Sequence, residues 1–395
     1  MTDFSLALPS GRLGITVASE DLPLDTLCDF AARHNARRGF LIVSRVLGRH
    51  LPTRPSVMAH SYCLCARRLE AAGPLTGPVL FVGLAETATG LGQGIHDAWC
   101  ALGGRDDAGF LHSSRQRLPC PPLLTFQEPH SHAAAHLLYP PAGAGIDLAA
   151  TRTLVLVDDE ASTGTSLCNL AQALAAHMPQ LQQIICVMLT DWTGSAAWLA
   201  AMPAPARAVS LLAGTLAWDA DGAPPPPPPA AAANSHAFGT LDQDAGFGRL
   251  GISGAIAPRV LARCRPWLDQ MPAGQCLRVL GTGEFVHAPW VLAHWLEQQG
   301  HDVLFQATSR SPVQIGGAIR SRLVFADNYG APVPNYLYNV DPADGRRTII
   351  CHETPPGSID PALVAALGAE TLYMGAACRG AAYRGAAYRG AALPA

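Results

Sequence analysis

Leu154-Val155-Leu156-Val157-Asp158-Asp159-Glu160-Ala161-Ser162-Thr163-Gly164-Thr165-Ser166 is the stretch that decides the fold. Four aliphatic residues in a row, without alternation, predict a strand buried on both faces, as in a parallel sheet. Two carboxylates close the run. A turn of hydroxyls and one glycine then leads into a helix expected over Ser166 to His177. Ligands of open α/β sheets bind at the carboxyl ends of strands. Backbone N–H groups of a turn that opens a helix, with the helix dipole behind them, form an anion site. Ser162, Thr163 and Thr165 can add hydroxyl donors. Adjacent carboxylates suit a polyol, since each accepts hydrogen bonds from sugar hydroxyls. The string fits a sugar phosphate, with Asp158 and Asp159 on the diol and Ala161, Ser162, Thr163, Gly164 and Thr165 around the phosphate. A solvated helix cap would also use Ser, Thr and Asp. The complete ordered string is what favours a ligand.

The same pattern recurs upstream. Val79 to Gly83 is a short apolar strand, followed by Glu86-Thr87-Ala88-Thr89-Gly90 and a helix expected from Gly90 to Leu102. Small residues in that turn allow close backbone approach to a ligand. Ile184 to Leu189 is a third strand. Between the two turns lie Phe110 to Arg117 and Phe126 to His132, which hold Arg115, Arg117, His130 and His132. Arginine grips phosphate oxygens in a fork, and histidine can supply a proton or hydrogen bond to a departing anion. His130 and His132, with His136, could instead face a metal from one side of a strand. No acid or cysteine cluster completes that set, and plain surface histidines are a third reading. Farther on, Leu277 to Leu280, Ala288 to Gln299 and Val303 to Ala307 repeat strand, helix, strand. A second, smaller α/β domain is expected.

Six prolines, Pro224 to Pro229, precede Ala230 to Ala233. Such a run cannot sit in a helix or a central strand. The expected organisation is therefore a first domain over 1–215, a Pro/Ala-rich linker over 216–240, a second domain over 241–374 and a repetitive tail over 375–395. The proline run could dock an SH3-like partner, and the Arg-Gly-Ala-Ala-Tyr repeats of the tail could stack on RNA. A plain spacer and a plain tail are the simpler readings.

The chain has 395 residues, a formal charge of −3, and 27 Lys plus Arg, every one an arginine. Lysine-dependent chemistry is thereby excluded, and no general basic field draws nucleic acid. Eleven cysteines, scattered and without a C-x-x-C pair, argue against structural zinc and a secreted disulfide framework. No signal-like or membrane-spanning run is legible, so a cytoplasmic protein with no membrane partner is expected.

The Leu154–Ser166 string resembles the phosphoribosyl pyrophosphate (PRPP) motif of type I phosphoribosyltransferases. In that motif aliphatic residues precede two acids and a Thr/Gly-rich phosphate loop. The resemblance implies that Asp158 and Asp159 hold the ribose hydroxyls, that Ala161 to Thr165 cradle the 5′-phosphate, and that Glu86, Thr87 and Ala88 belong to the pyrophosphate loop. It also implies a flexible loop bearing Arg115, Arg117, His130 and His132. Glu160 and Ala161 depart from the usual aliphatic pair. With Arg38 to His50, Glu128 to His132 and Asp191-Trp192, the chain is similar to the phosphoribosyltransferase-like proteins of tellurite-resistance and stress-response gene neighbourhoods. Those proteins carry a C-terminal domain named for a Thr-Arg-Ser-Pro motif. The corresponding residues here are Thr308, then Ser309-Arg310-Ser311-Pro312, with Ser309 replacing the threonine. Thr308, Ser309, Arg310 and Ser311 fit either an anion site or the cap of a helix starting near Pro312. The implied activity is a Mg²⁺-dependent pentosyl transfer from PRPP to a base-like acceptor, in nucleotide metabolism. Arg37 to His50 are candidate acceptor contacts. A PRPP-sensing module and a pathway scaffold are the competing readings, and a homodimer is left open.

Overall fold

The computed structural model describes residues 2–9, 11–33, 38–103, 105–127, 135–142, 145–221 and 246–375. His130, His132, most of the expected linker and all but the first residue of the tail lie outside them.

The chain is α/β. Its centre is an eight-stranded sheet whose middle is parallel. The quoted aliphatic run becomes β9 (Thr153–Ala161), flanked by β5 (Val79–Gly83) and β10 (Gln183–Asp191). β6 (Ala108–His112) continues one side and β11 (Ala206–Ala220) the other, both parallel to their neighbours. Leu154 to Val157 are fully buried, as continuous aliphatic runs between two helical layers should be. One layer comprises α2 (Pro55–Ala71) and α3 (Ala88–Gly103). The other contains α4 (Thr165–Ala175).

The parallel sheet is extended by antiparallel strands at both edges. β1 (Thr2–Leu8) and β2 (Gly11–Glu20) form a hairpin that adds antiparallel to β11. β12 (Ile252–Ser253) adds antiparallel to β6. β11 also runs to Ala220, so residues 216–220 of the expected linker are strand. A small hairpin, β3 (Cys28–Ala32) with β4 (Phe40–Ser44), sits above the sheet behind the short α1 (Leu24–Leu27). A second hairpin pairs β7 (Leu124–Gln127) with β8 (Ala135–Leu138).

The later half holds a four-stranded parallel sheet in the order β14 (Asp302–Ala307), β13 (Cys276–Gly281), β17 (Arg347–His352) and β18 (Glu370–Tyr373). Around it lie α5 (Ala257–Leu268), α6 (His287–Gln298), α7 (Pro361–Leu367) and the hairpin of β15 (Arg322–Ala326) and β16 (Pro334–Tyr338). The two halves are not beads on a string. One continuous apolar core joins Phe81, Ile95 and Phe110 of the first to Phe285, Leu292 and Phe305 of the second. The contact is close at Gly90, where a Cβ would stand 2.6 Å from Val286 Cγ1. No helix forms at Pro312. The chain instead makes bridges at Arg33–Val313 and Gly316–Ile319, so the helix-cap reading of Thr308 to Pro312 fails.

Candidate active site

β9 stays extended through its acids, and this aims them. Asp158, Asp159 and Glu160 are half-buried at its carboxyl end, after the fully buried aliphatic stretch. Gly164 then turns the chain into α4 with φ +74°. That left-handed backbone favours glycine. A Cβ there would also lie 2.3 Å from Trp198 Cε3. The turn carries Thr163 Oγ1 2.9 Å from Thr165 Oγ1, and the Thr165 N–H donates to Thr163 Oγ1 at 3.3 Å. Ser162, Thr163 and Thr165 are exposed at the amino end of the helix, as an anion cradle requires.

The turn after β5 comes to meet the acids. Thr87 Oγ1 donates to Asp159 Oδ1 at 2.8 Å, and the Asp159 N–H donates to Asp158 Oδ1 at 3.0 Å. The Ala85–Glu86 peptide is cis, and the Ala85 N–H donates to Ser113 Oγ at 2.9 Å. Ala88 is buried under this turn as the first residue of α3, so it supports the turn without lining the cavity.

A cavity of about 240 Å³ opens between these parts. Its walls include Glu86, Thr87, Arg115, Asp158, Asp159 and the whole Ala161–Thr165 turn. Ser309, Arg310 and Ser311 of the later half form part of the same wall. Thr308 is buried behind it, where its hydroxyl accepts from the Gly283 N–H at 2.8 Å. Arg117 is exposed and is not among the lining residues.

The segment around Arg115 is anchored. Ser113, Ser114 and Gln116 are buried. Ser114 Oγ donates to Glu284 Oε2 at 2.6 Å, and the Arg115 N–H donates to Glu284 Oε1 at 2.5 Å. In this conformation the start of the expected flap is therefore tied to Glu284. Its remaining part is the β7–β8 hairpin, whose connecting residues lie outside the described ones. His136, considered as a metal ligand, is buried, with its Nδ1 3.1 Å from Ser113 Oγ and its ring stacked on Phe126.

Several cavity residues were not singled out from sequence. Arg33, Leu41, Ser44, Leu47, Arg49 and His50 come from the β3–β4 hairpin and the segment after it. All of these but Arg33 fall within Arg37 to His50, the candidate acceptor contacts, and carry no individual signal in the sequence. Arg38 Nη2 donates to Glu160 Oε1 at 2.6 Å. Arg49 is buried and donates to the carbonyls of Glu86 (2.7 Å), Gly283 (2.7 Å) and Thr308 (2.5 Å).

Charge in the cavity is mixed. Burial, and then the neighbouring Glu160 charge, push the Asp159 carboxyl up to about 6, against the hydrogen bonds from Thr87 and the Asp158–Asp159 contact. Burial, then Arg49 and Arg33, lower His50 to about 3, so its imidazole is neutral. Among the described residues no three His, Cys, Asp or Glu side chains gather to hold a metal by themselves.

Compared with known protein families, residues 27–215 match the model of a phosphoribosyl transferase family, and residues 248–367 match the TRSP domain found C-terminal to it. The chain thus carries, in order, a stretch similar to the phosphoribosyl transferase domain and one similar to its TRSP domain. No curated protein matches it. Among solved structures it is similar to an adenine phosphoribosyl transferase from Trypanosoma brucei, crystallised with AMP, pyrophosphate and ribose-5-phosphate. That likeness is loose, with 13% identity, a TM-score of 0.31, and coverage of 53% of this chain and 87% of the other. In family terms, the acids and their turn lie in the phosphoribosyl transferase part, and Ser309 to Ser311 lie in the TRSP part. No described helix is long and apolar enough to cross a membrane.

Proposed function

We propose that the chain is a phosphoribosyltransferase that takes its phosphoribosyl group from PRPP. One observation carries the reading. The acid pair of β9, the hydroxyl-rich turn opening α4 and the Glu86–Thr87 turn share one cavity, joined by the Thr87–Asp159 hydrogen bond. Asp158 and Asp159 hold the ribose 2′- and 3′-hydroxyls. Residues 161–165 take the 5′-phosphate at the helix terminus. The C1 substituent then lies toward the Glu86–Thr87 turn. Attack at C1 by a nitrogen of a base-like acceptor breaks the bond to pyrophosphate through an oxocarbenium-like transition state. The protein's work is positioning, and stabilising charge on the leaving group.

Mg²⁺ fits this donor set. The cavity offers Glu86, Asp158 and Asp159 as single or paired carboxylates. Magnesium keeps much of its shell on substrate oxygens and water. It would ride on the pyrophosphate and ribose oxygens and neutralise charge there.

A PRPP-sensing module is the second reading, and the anchoring of Arg115 by Glu284 favours it. A pyrophosphate-release assay with PRPP, Mg²⁺ and a panel of nucleobases and related heterocycles separates the two. Acceptor-dependent release is the expected outcome. PRPP binding without release from any acceptor would favour the sensor.

A further inference from the structure

We propose that Arg310 of the TRSP part binds the pyrophosphate group of the donor, so that the two parts build one active site. This rests on the PRPP reading above. Ser309, Arg310 and Ser311 line the cavity that holds Asp158, Asp159 and the phosphate turn.

Arg310 is held in a fixed place. Its Nε and Nη2 donate to Asp327 Oδ1 at 3.3 and 2.9 Å, and its Nη2 reaches Gln116 Oε1 at 3.4 Å. Asp327 is buried and is itself pinned. It accepts from Asn335 Nδ2 (2.6 Å) and from the Tyr329 and Ala331 N–H groups (3.1 and 3.0 Å). The loop is stitched down as well. Ser309 exchanges backbone bonds with Tyr336 at 2.9 and 2.7 Å, and Tyr338 Oη donates to the Ser311 carbonyl at 2.5 Å. A guanidinium set up in this way loses little freedom when it grips an anion.

The position selects the pyrophosphate. The 5′-phosphate has its own cradle at α4, and the acids take the sugar. What remains is the side of the Glu86 turn, where Arg49 ties the Glu86 and Thr308 carbonyls to one guanidinium. Burial by itself would lower the Arg310 pKa, but Asp327 first and Glu86 next hold it above the ordinary guanidinium value. Glu86 is thus close enough for the two charges to interact. A pyrophosphate beside Glu86 needs cations, and Arg310 is positioned to supply one. Arg115, whose backbone Glu284 of the TRSP part holds, lines the same cavity.

The test is calorimetric titration of the full chain with two probes in Mg²⁺, ribose 5-phosphate and inorganic pyrophosphate, and then with PRPP. For Arg310→Ala the expected result is unchanged ribose 5-phosphate affinity, with pyrophosphate and PRPP weakened roughly ten- to hundredfold. Arg310→Lys keeps a charge beside Asp327 and loses the fork. It should fold even if the alanine variant does not, and should show an intermediate loss confined to the same two ligands. If wild type binds ribose 5-phosphate but neither variant changes pyrophosphate affinity, the Arg310 assignment is overturned while the PRPP reading stands. Equal weakening of all three ligands also overturns it, because Arg310 would then act only through the fold. If wild type binds neither ribose 5-phosphate nor PRPP, the PRPP reading itself is wrong and this inference goes with it.

Discussion

Two strand-end turns in this molecule look alike in sequence and have opposite fates. β9 ends in Asp158-Asp159-Glu160 and a Thr/Gly turn before α4. β13 ends in Thr282-Gly283-Glu284 before α6. Both follow buried aliphatic strands at the carboxyl edge of a parallel sheet, where ligand loops are expected. At the first turn the acids and hydroxyls face a cavity. At the second the carboxylate is already used by the protein, and the buried Thr282 hydroxyl, which has no hydrogen-bond partner among the described residues, faces no comparable cavity. Glu284 is buried and holds Ser114, the Arg115 backbone and Arg249. Arg249 in turn makes bonds of 2.8 and 2.7 Å to Glu353, which also accepts from Tyr329 Oη at 2.9 Å. Strand-end geometry offers a place for a ligand. Whether a site exists depends on which polar groups remain unspent.

The sharpest way to break this contrast is at the spent turn. Arg249→Met leaves Glu284 and Glu353 buried without their cation. Breaking a buried pair of this kind costs about 3–5 kcal/mol. Urea unfolding should show a loss of that size. A change under about 0.5 kcal/mol would mean that this buried network adds little to stability.

The next test uses pH, because the two turns titrate in opposite directions. Asp159 is raised to about 6, chiefly by burial and then by Glu160. Glu284 is lowered, since Arg249 and His112 outweigh its burial. PRPP affinity should hold above pH 6 and fall as the pH drops through about 6, when Asp159 gains a proton. A Glu284 contribution to stability, by contrast, is complete above the ordinary glutamate range and is lost progressively as the pH falls from there through its lowered pKa. Titration at several pH values reads the first effect, and thermal melts read the second. Constant PRPP affinity from pH 7 to 5 would contradict the Asp159 assignment.

The smallest effect expected is on stability at the open turn. A carboxylate whose folded pKa is raised destabilises the fold once it is ionised, so that stability is lost as the pH rises from the unfolded value toward about 6. At pH 7 Asp159→Asn should therefore raise Tm, by roughly 1–3 °C. Glu284→Gln should lower it. Changes of the same sign would remove the distinction between the two turns.

Much of the first turn was legible because its signal is local. The aliphatic run, the acids and the glycine lie within thirteen residues, and Val79–Gly83 was read to its observed limits. β9 extends farther than its aliphatic run suggests, since backbone pairing with β10 carries it through the acids to Ala161. The spent character of Glu284 was not legible. Its partners Ser114 and Arg249 lie 170 and 35 residues away, and no periodicity encodes such a pairing. The same holds for Arg49, whose neighbours give no hint that it bridges both parts. The hold on the Arg115 backbone was not legible either, because Glu284 lies 169 residues away. Ser113 is buried among Gly83, Ala85 and His136 of its own half, and Ser114 is buried with its hydroxyl on Glu284 of the other.

The central claim is that Asp158 and Asp159 form a PRPP site. Its most direct test is calorimetric titration of PRPP with Mg²⁺ into wild type and into Asp158→Asn with Asp159→Asn, both checked for folding by circular dichroism. Each charge-assisted hydrogen bond lost should cost roughly 1.5–3 kcal/mol, so the folded double variant should bind PRPP at least tenfold more weakly. Equal affinity in two folded proteins would contradict the account.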